Sequence, residues 1–116
     1  MKDRKTKGGT RKPTGALIAL INNTDPTKEA EFNKWYNEVH LPRVLDTGCY
    51  YYGARFENPN PKPGEARYLA YYETDWEDPI AAYDELMKLA GDWVFWPHLE
   101  QVCVQGFKYI MDRRAE

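Results

Sequence analysis

The spacing of hydrophobic positions changes period along this chain, and each change marks an element. Residues 16–21 are a continuous apolar run stopped by Asn22 and Asn23, the length of a buried strand. Thr24 or Asp25 can then cap a helix whose first turn suits Pro26. Phe32, Trp35, Tyr36 and Val39 follow at i, i+3, i+4 and i+7, a core-facing helical stripe. At about 100° per residue from Phe32, Val39 falls near −20°, Tyr36 near 40° and His40 near 80°. Val39 is therefore expected in the core and His40 at the rim of the buried face. Pro42 disfavours helix at Leu41, so a kinked or 3₁₀ continuation to about residue 46 is expected, closed by Gly48.

Residues 49–57 read as a second strand and the proline-rich run 58–64 as a hairpin loop. Residues 67–74 read as a third strand. Pro79 opens a second helix with Ile80, Tyr83, Leu86, Met87 and Ala90 on one face, ended by Gly91. An aromatic loop over 92–100, broken by Pro97, leads to a fourth strand over 101–111. The order β-α-β-β-α-β is the ferredoxin-like α+β arrangement: a four-stranded antiparallel sheet with both helices on one face. A sheet wetted on its other face should alternate apolar and polar residues, yet these strands are largely apolar on both faces. A second copy packed sheet to sheet is the expected cover, which makes the protein a homodimer. The second and fourth strands become opposite edges, too far apart for a Cys49–Cys103 disulfide.

Composition narrows the function classes. A chain of 116 residues with 42% hydrophobic and 15% aromatic residues is one folded domain, expected over 16–111 between a leader (1–15) and a short tail (112–116). Residues 1–12 carry six basic and one acidic side chain, net +5, and the remainder ten basic and 17 acidic, net −7. Binding of nucleic acid or anionic lipid would rest on that arm alone, and its plainer reading is a solvated leader. Neither nucleic acid nor a membrane is expected as a partner. No apolar run reaches membrane-span length, and the basic start lacks the apolar stretch of a signal peptide. With two unpaired cysteines suited to a reducing compartment, a cytoplasmic location is expected.

Serine is absent from the chain, which removes serine-nucleophile chemistry. There is no Walker loop, no GxGxxG after a strand and no HExxH, and two His and two Cys at unrelated spacings make no zinc site. Proton chemistry must then centre on few groups. His40, at the last turn of the first helix, suits a general base, or alternatively caps the helix's final carbonyls. Arg55 lies among strand aromatics and could anchor a carboxylate or phenolate, or pair with a surface acid. Tyr36 and Tyr72 could line an aromatic ligand or donate a phenolic proton, or serve only as core. Trp93, Trp96 and His98 could form a lid or seal the open end of the sheet.

The run from Phe32 to Gly48, Phe-Asn-Lys-Trp-Tyr-Asn-Glu-Val-His-Leu-Pro-Arg-Val-Leu-Asp-Thr-Gly, followed by a strand reaching Arg55-Phe56, resembles the EthD-like branch of the dimeric α+β barrel superfamily. That branch carries a Phe-x-x-Trp/Tyr-Tyr-x-x-x-His-x-Pro pattern on its first helix. The resemblance implies a dimeric barrel with a pocket between sheet and helices, faced by the helix histidine, here His40. Relatives include polyketide cyclases, dehydratases, cofactor-free monooxygenases, haem-degrading enzymes and members without assigned activity. It therefore implies a cofactor-independent acid–base enzyme of dehydratase, cyclase or isomerase type acting on a small hydrophobic, aromatic or polyketide-like compound. A cofactor-free monooxygenase and a non-catalytic small-molecule-binding barrel are the alternatives. No cofactor is expected, and haem through His98 is set aside.

Overall fold

The computed structural model describes residues 12–115, so most of the basic arm lies outside the described residues. β1 (Gly15–Asn23), β2 (Tyr52–Glu57), β3 (Tyr68–Thr74) and β4 (Leu99–Lys108) form one antiparallel sheet in the order β2-β3-β1-β4. The fold is α+β, with the strand order expected from the sequence and β2 and β4 at opposite edges. No disulfide joins Cys49 to Cys103.

Register sorts the side chains into rows, because directly opposed residues share a face. Gly53–Tyr72–Leu17–Gly106 and Arg55–Ala70–Ala19–Val104 are two rows on the face that the helices cover. The alternate rows, Tyr52–Glu73–Ala16–Phe107 and Phe56–Leu69–Leu20–Cys103, lie on the other face. Nothing among the described residues covers that face, and Tyr52, Phe56 and Phe107 each expose about half of their surface.

The first helical segment is made of several pieces. Asp25 accepts a hydrogen bond from the Thr27 backbone N–H and opens a 3₁₀ turn over Pro26–Lys28. α1 (Glu29–Trp35) follows, then a π turn over Tyr36–His40, then α2 (Leu41–Asp46). In place of the expected kink or 3₁₀ turn, the helix widens. In an unbroken α-helix the Pro42 ring would collide with the carbonyl four residues back, at Glu38. The Leu41 N–H instead reaches five residues back to Tyr36. Each residue of a π turn advances by less than the 100° of an α-helix, so Val39 and His40 stop short of their α positions. Val39 turns outward, 44% exposed, which corrects its expected place in the core. His40 swings from the rim towards the buried face. Gly48 ends the segment in the left-handed region (φ 79°).

Three other expectations shift. Residues 49–51 precede β2 instead of belonging to it: Cys49 and Tyr50 are buried, and only the Tyr51 N–H continues the ladder, to Glu73 (2.9 Å). β4 runs over 99–108 because its pairing with β1 starts at Asn23–Leu99 and ends at Gly15–Lys108. α3 (Pro79–Ala90) is capped by Asp78 and buries Pro79, Ala82 and Leu86, while Ile80 and Met87 stay more than a third exposed. The reason is a close approach: a Cβ on Gly15 would sit 2.4 Å from the Pro79 Cβ, so the helix start is pressed against the sheet. That contact rotates the 79–82–86 line inward.

Gly48 is the simplest test of the helix ending. Gly48→Ala should cost about 1–2 kcal/mol in chemical denaturation, the penalty of placing a Cβ in the left-handed region. An unchanged midpoint would contradict the turn described.

Candidate active site

Between the sheet, α3 and the π turn lies an open cleft of about 620 Å³, within the size range of small-molecule sites. Leu17, Ala19 and Val104 form its floor, Leu86 and Met87 one wall, and Trp93, Phe95 and Trp96 the aromatic rim. That rim is anchored, since the Trp96 indole N–H donates to the Asn23 side-chain oxygen (3.0 Å).

His40 opens onto this cleft from within an aromatic box. Its ring stacks on Trp35 (centroids 5.1 Å, planes 20° apart) and meets Tyr36 edge to face at 4.8 Å. Phe95 at 5.4 Å and Trp93 at 6.0 Å close the far side. Trp35 and His40 are five residues apart, the spacing that a π turn brings onto one face. Burial, then the positive charges of Arg43 and Arg55, lower the His40 pKa to about 4. Among the described residues no hydrogen bond engages either ring nitrogen, and neither is sealed from solvent. At neutral pH the cleft therefore contains an uncharged imidazole with its nitrogens free.

Tyr36 and Tyr72 supply the polar counterpart. The Tyr72 hydroxyl donates to that of Tyr36 at 3.4 Å, which leaves the Tyr36 proton free to be donated. Burial raises the pKa of both, so both are neutral phenols. Tyr72 is seated by Gly53, where a Cβ would stand 3.1 Å from its ring.

Arg55 and His98 do not line the cleft. Arg55 enters from the β2 edge, at the opposite end of the row that gives Ala19 and Val104 to the cleft floor, with Tyr36 between. Its guanidinium lies over three ring faces: Tyr36 (4.4 Å), Tyr68 (5.2 Å) and Phe32 (5.7 Å). It donates one hydrogen bond, to the Asn37 side chain (2.8 Å), and no surface acid pairs with it among the described residues. His98 instead faces Asp25 at 3.7 Å, and its backbone carbonyl accepts from the Thr24 N–H (2.8 Å). It holds the loop to the end of β1. Among the described residues, no three His, Cys, Asp or Glu side chains gather as a metal site, and no helix is long and apolar enough to cross a membrane.

No protein-family model matches the chain. Over 59 residues, half of this chain, it is 41% identical to the Core atranone cluster (CAC) protein 1 of Stachybotrys chlorohalonatus (strain IBT 40285). The chain spans a quarter (25%) of that relative's length. Among solved structures it is similar to an EthD-like protein from Ralstonia eutropha JMP134, with a TM-score of 0.55 at 15% identity over 87% of this chain and 96% of the other. The fold is EthD-like. HapK from Hahella chejuensis is similar to the same degree, with a TM-score of 0.58 at 11% identity over 88% and 98% of the two chains. These likenesses establish the EthD-like architecture, while the chemistry rests on the residues of this chain.

Phe95, Trp35 and the α3 wall were not among the site residues expected from sequence. The Trp35 to His40 spacing followed by Pro42 was the available signal for the first of these contacts.

The buried neutral imidazole has a thermodynamic signature. Unfolded, His40 titrates near 6.5, and folded near 4, so between these values the unfolded chain binds the extra proton. The contribution is fully present above pH 6.5 and is lost as the pH falls towards 4, about 3 kcal/mol over the window. His40→Gln should be less acid-sensitive than the parent by about 2 kcal/mol in denaturation at pH 4.5 against pH 7, the part of the window that this comparison spans. Equal acid sensitivity of the two proteins would contradict the burial of His40.

Proposed function

We propose that this protein is a cofactor-independent acid–base enzyme acting on a small, planar, hydrophobic compound of aromatic or polyketide-like type. The observation that carries the reading is an uncharged, unencumbered imidazole facing an aromatic cleft of about 620 Å³. A neutral imidazole accepts a proton, and the same groups that disfavour its cation make the imidazolium a ready donor. Abstraction at one carbon or oxygen and return at another is the proton bookkeeping of dehydration, cyclisation and isomerisation. The anion left on the substrate would sit beside the new imidazolium and the Tyr36 hydroxyl, and this pairing offsets the cost of charging His40. The relative assigned by its name to the core atranone cluster is compatible with small-molecule chemistry of this kind.

His40→Ala should lower turnover by roughly 10²–10⁴-fold while leaving the fold intact, the usual contribution of one acid–base group. Oxygen consumed in step with product would instead identify a cofactor-free monooxygenase. One observation favours a non-catalytic binding barrel as a second reading: no side chain orients the His40 tautomer among the described residues, as general bases commonly require. That reading predicts ligand affinity unchanged in His40→Ala and no turnover in either protein.

The uncovered sheet face supports a homodimer. Its apolar rows, at about 25 cal/mol per Å², would stabilise a two-fold interface of about 1,200–2,000 Å². Light scattering at micromolar concentration should give twice the chain mass. Phe56→Lys, which places a charge among the exposed aromatic side chains on the β2 edge of that face, should shift the protein to monomer; a monomeric parent would contradict the dimer.

A further inference from the structure

Arg55 is a guanidinium that the reaction outlined above does not use directly. Its Nε and Nη2 are buried without a hydrogen-bond partner, and only Nη1 is engaged, by Asn37. Buried donors of this kind are costly, and a cation held without a counter-ion is more so. The groups around it are aromatic. Phe32, Tyr36 and Tyr68 present their faces, and Tyr72 lies beyond Tyr36. The nearby acid Glu57 is already engaged by Arg67 at 3.2 Å, and the Tyr68 hydroxyl is committed to Glu29. The positive charge thus has no carboxylate of its own among the described residues, two of its three nitrogens are shut off from water, and the group between it and the cleft is the Tyr36 ring. A ring with a cation on its face loses electron density, and its hydroxyl becomes a stronger hydrogen-bond donor. That hydroxyl already accepts from Tyr72, and Tyr36 lines the cleft onto which His40 opens.

We propose that Arg55 is a positioning residue that acts through Tyr36: its unneutralised charge makes the Tyr36 hydroxyl an anion-stabilising donor, so the cleft selects planar phenols and enols in their ionised form. This inference rests on the cleft being a small-molecule site and names the substrate class that site takes, acidic phenols and enolisable ketones. It assigns Arg55 no contact with the ligand. The ionisable groups that line the cleft are His40 from the first helical segment, Tyr36 and Tyr72 with Arg55 behind them, and Tyr83 from α3, while Arg43 lies over the Trp93 ring at the rim. No carboxylate lines the cleft among the described residues.

The probe is 4-nitro-1-naphthol, a planar two-ring phenol whose ionised form is read by its absorption. Bound to the parent protein, it should ionise at least one pH unit below its value in water, equivalent to a tenfold or greater preference for the naphtholate. Arg55→Met keeps the stem packed under the aromatic rings and removes the charge, and it should abolish that preference. Arg55→Lys restores the charge and should recover most of it, which a purely structural role for Arg55 would not produce. His40→Ala should keep the preference even though turnover is lost, so failure of the catalytic assignment and failure of this inference are separately visible. A folded Arg55→Met protein that retains the full preference would overturn the proposal, as would a parent protein that binds the neutral naphthol as well as the anion or binds neither.

Discussion

Pro42 is the constraint on which the site depends. It has no N–H to give to the helix ladder, and its ring cannot sit against the carbonyl of Glu38. The chain meets this by widening one turn, with the Leu41 N–H reaching back to Tyr36. The widened turn decides which side chains face the sheet. It turns Val39 out to solvent and brings His40 into contact with Trp35 and Tyr36. A regular helix over the same residues would bury an aliphatic side chain where the imidazole now stands. Wide turns of this type recur at functional sites because they re-aim one residue without breaking the helix.

What the turn brings together is electrostatically one-sided. The imidazole is desolvated by aromatic rings, and two guanidinium groups lie close enough to oppose its protonation. The phenols of Tyr36 and Tyr72, with their protons on, line the cleft beside it. Such a site resists holding a cation but can receive a proton and stabilise an organic anion. The open cleft supplies shape and aromatic surface, and polarity comes from the π turn, with Arg55 of the β2 edge packed behind its Tyr36.

Much of the fold was legible because local rules and tertiary structure agree. Asp25 and Asp78 cap where a carboxylate precedes a proline, Gly48 ends its helix in the left-handed region, and the apolar runs became strands in the expected order. His40 was legible as a candidate from its type and motif, but its orientation was not, since ideal α geometry placed it at the rim. Of the expected α3 face, Tyr83, Leu86, Met87 and Ala90 line the cleft together, whereas the burial of Pro79 and Ala82 and the exposure of Ile80 accompany the Gly15–Pro79 approach, a tertiary contact with no periodic signal. Arg55 was legible as unusual among aromatics, yet its separation from the cleft by Tyr36 depends on strand register. His98 belonged to the same aromatic loop as Trp93 and Trp96, and Asp25 draws it away from the cleft.

The most direct test is an NMR titration of the imidazole resonances, with His40 assigned by comparison with His40→Gln. The account predicts that His40 remains neutral at pH 5.5 and gains its proton only near pH 4. A His40 midpoint close to 6.5, the value of a solvated imidazole, would contradict it.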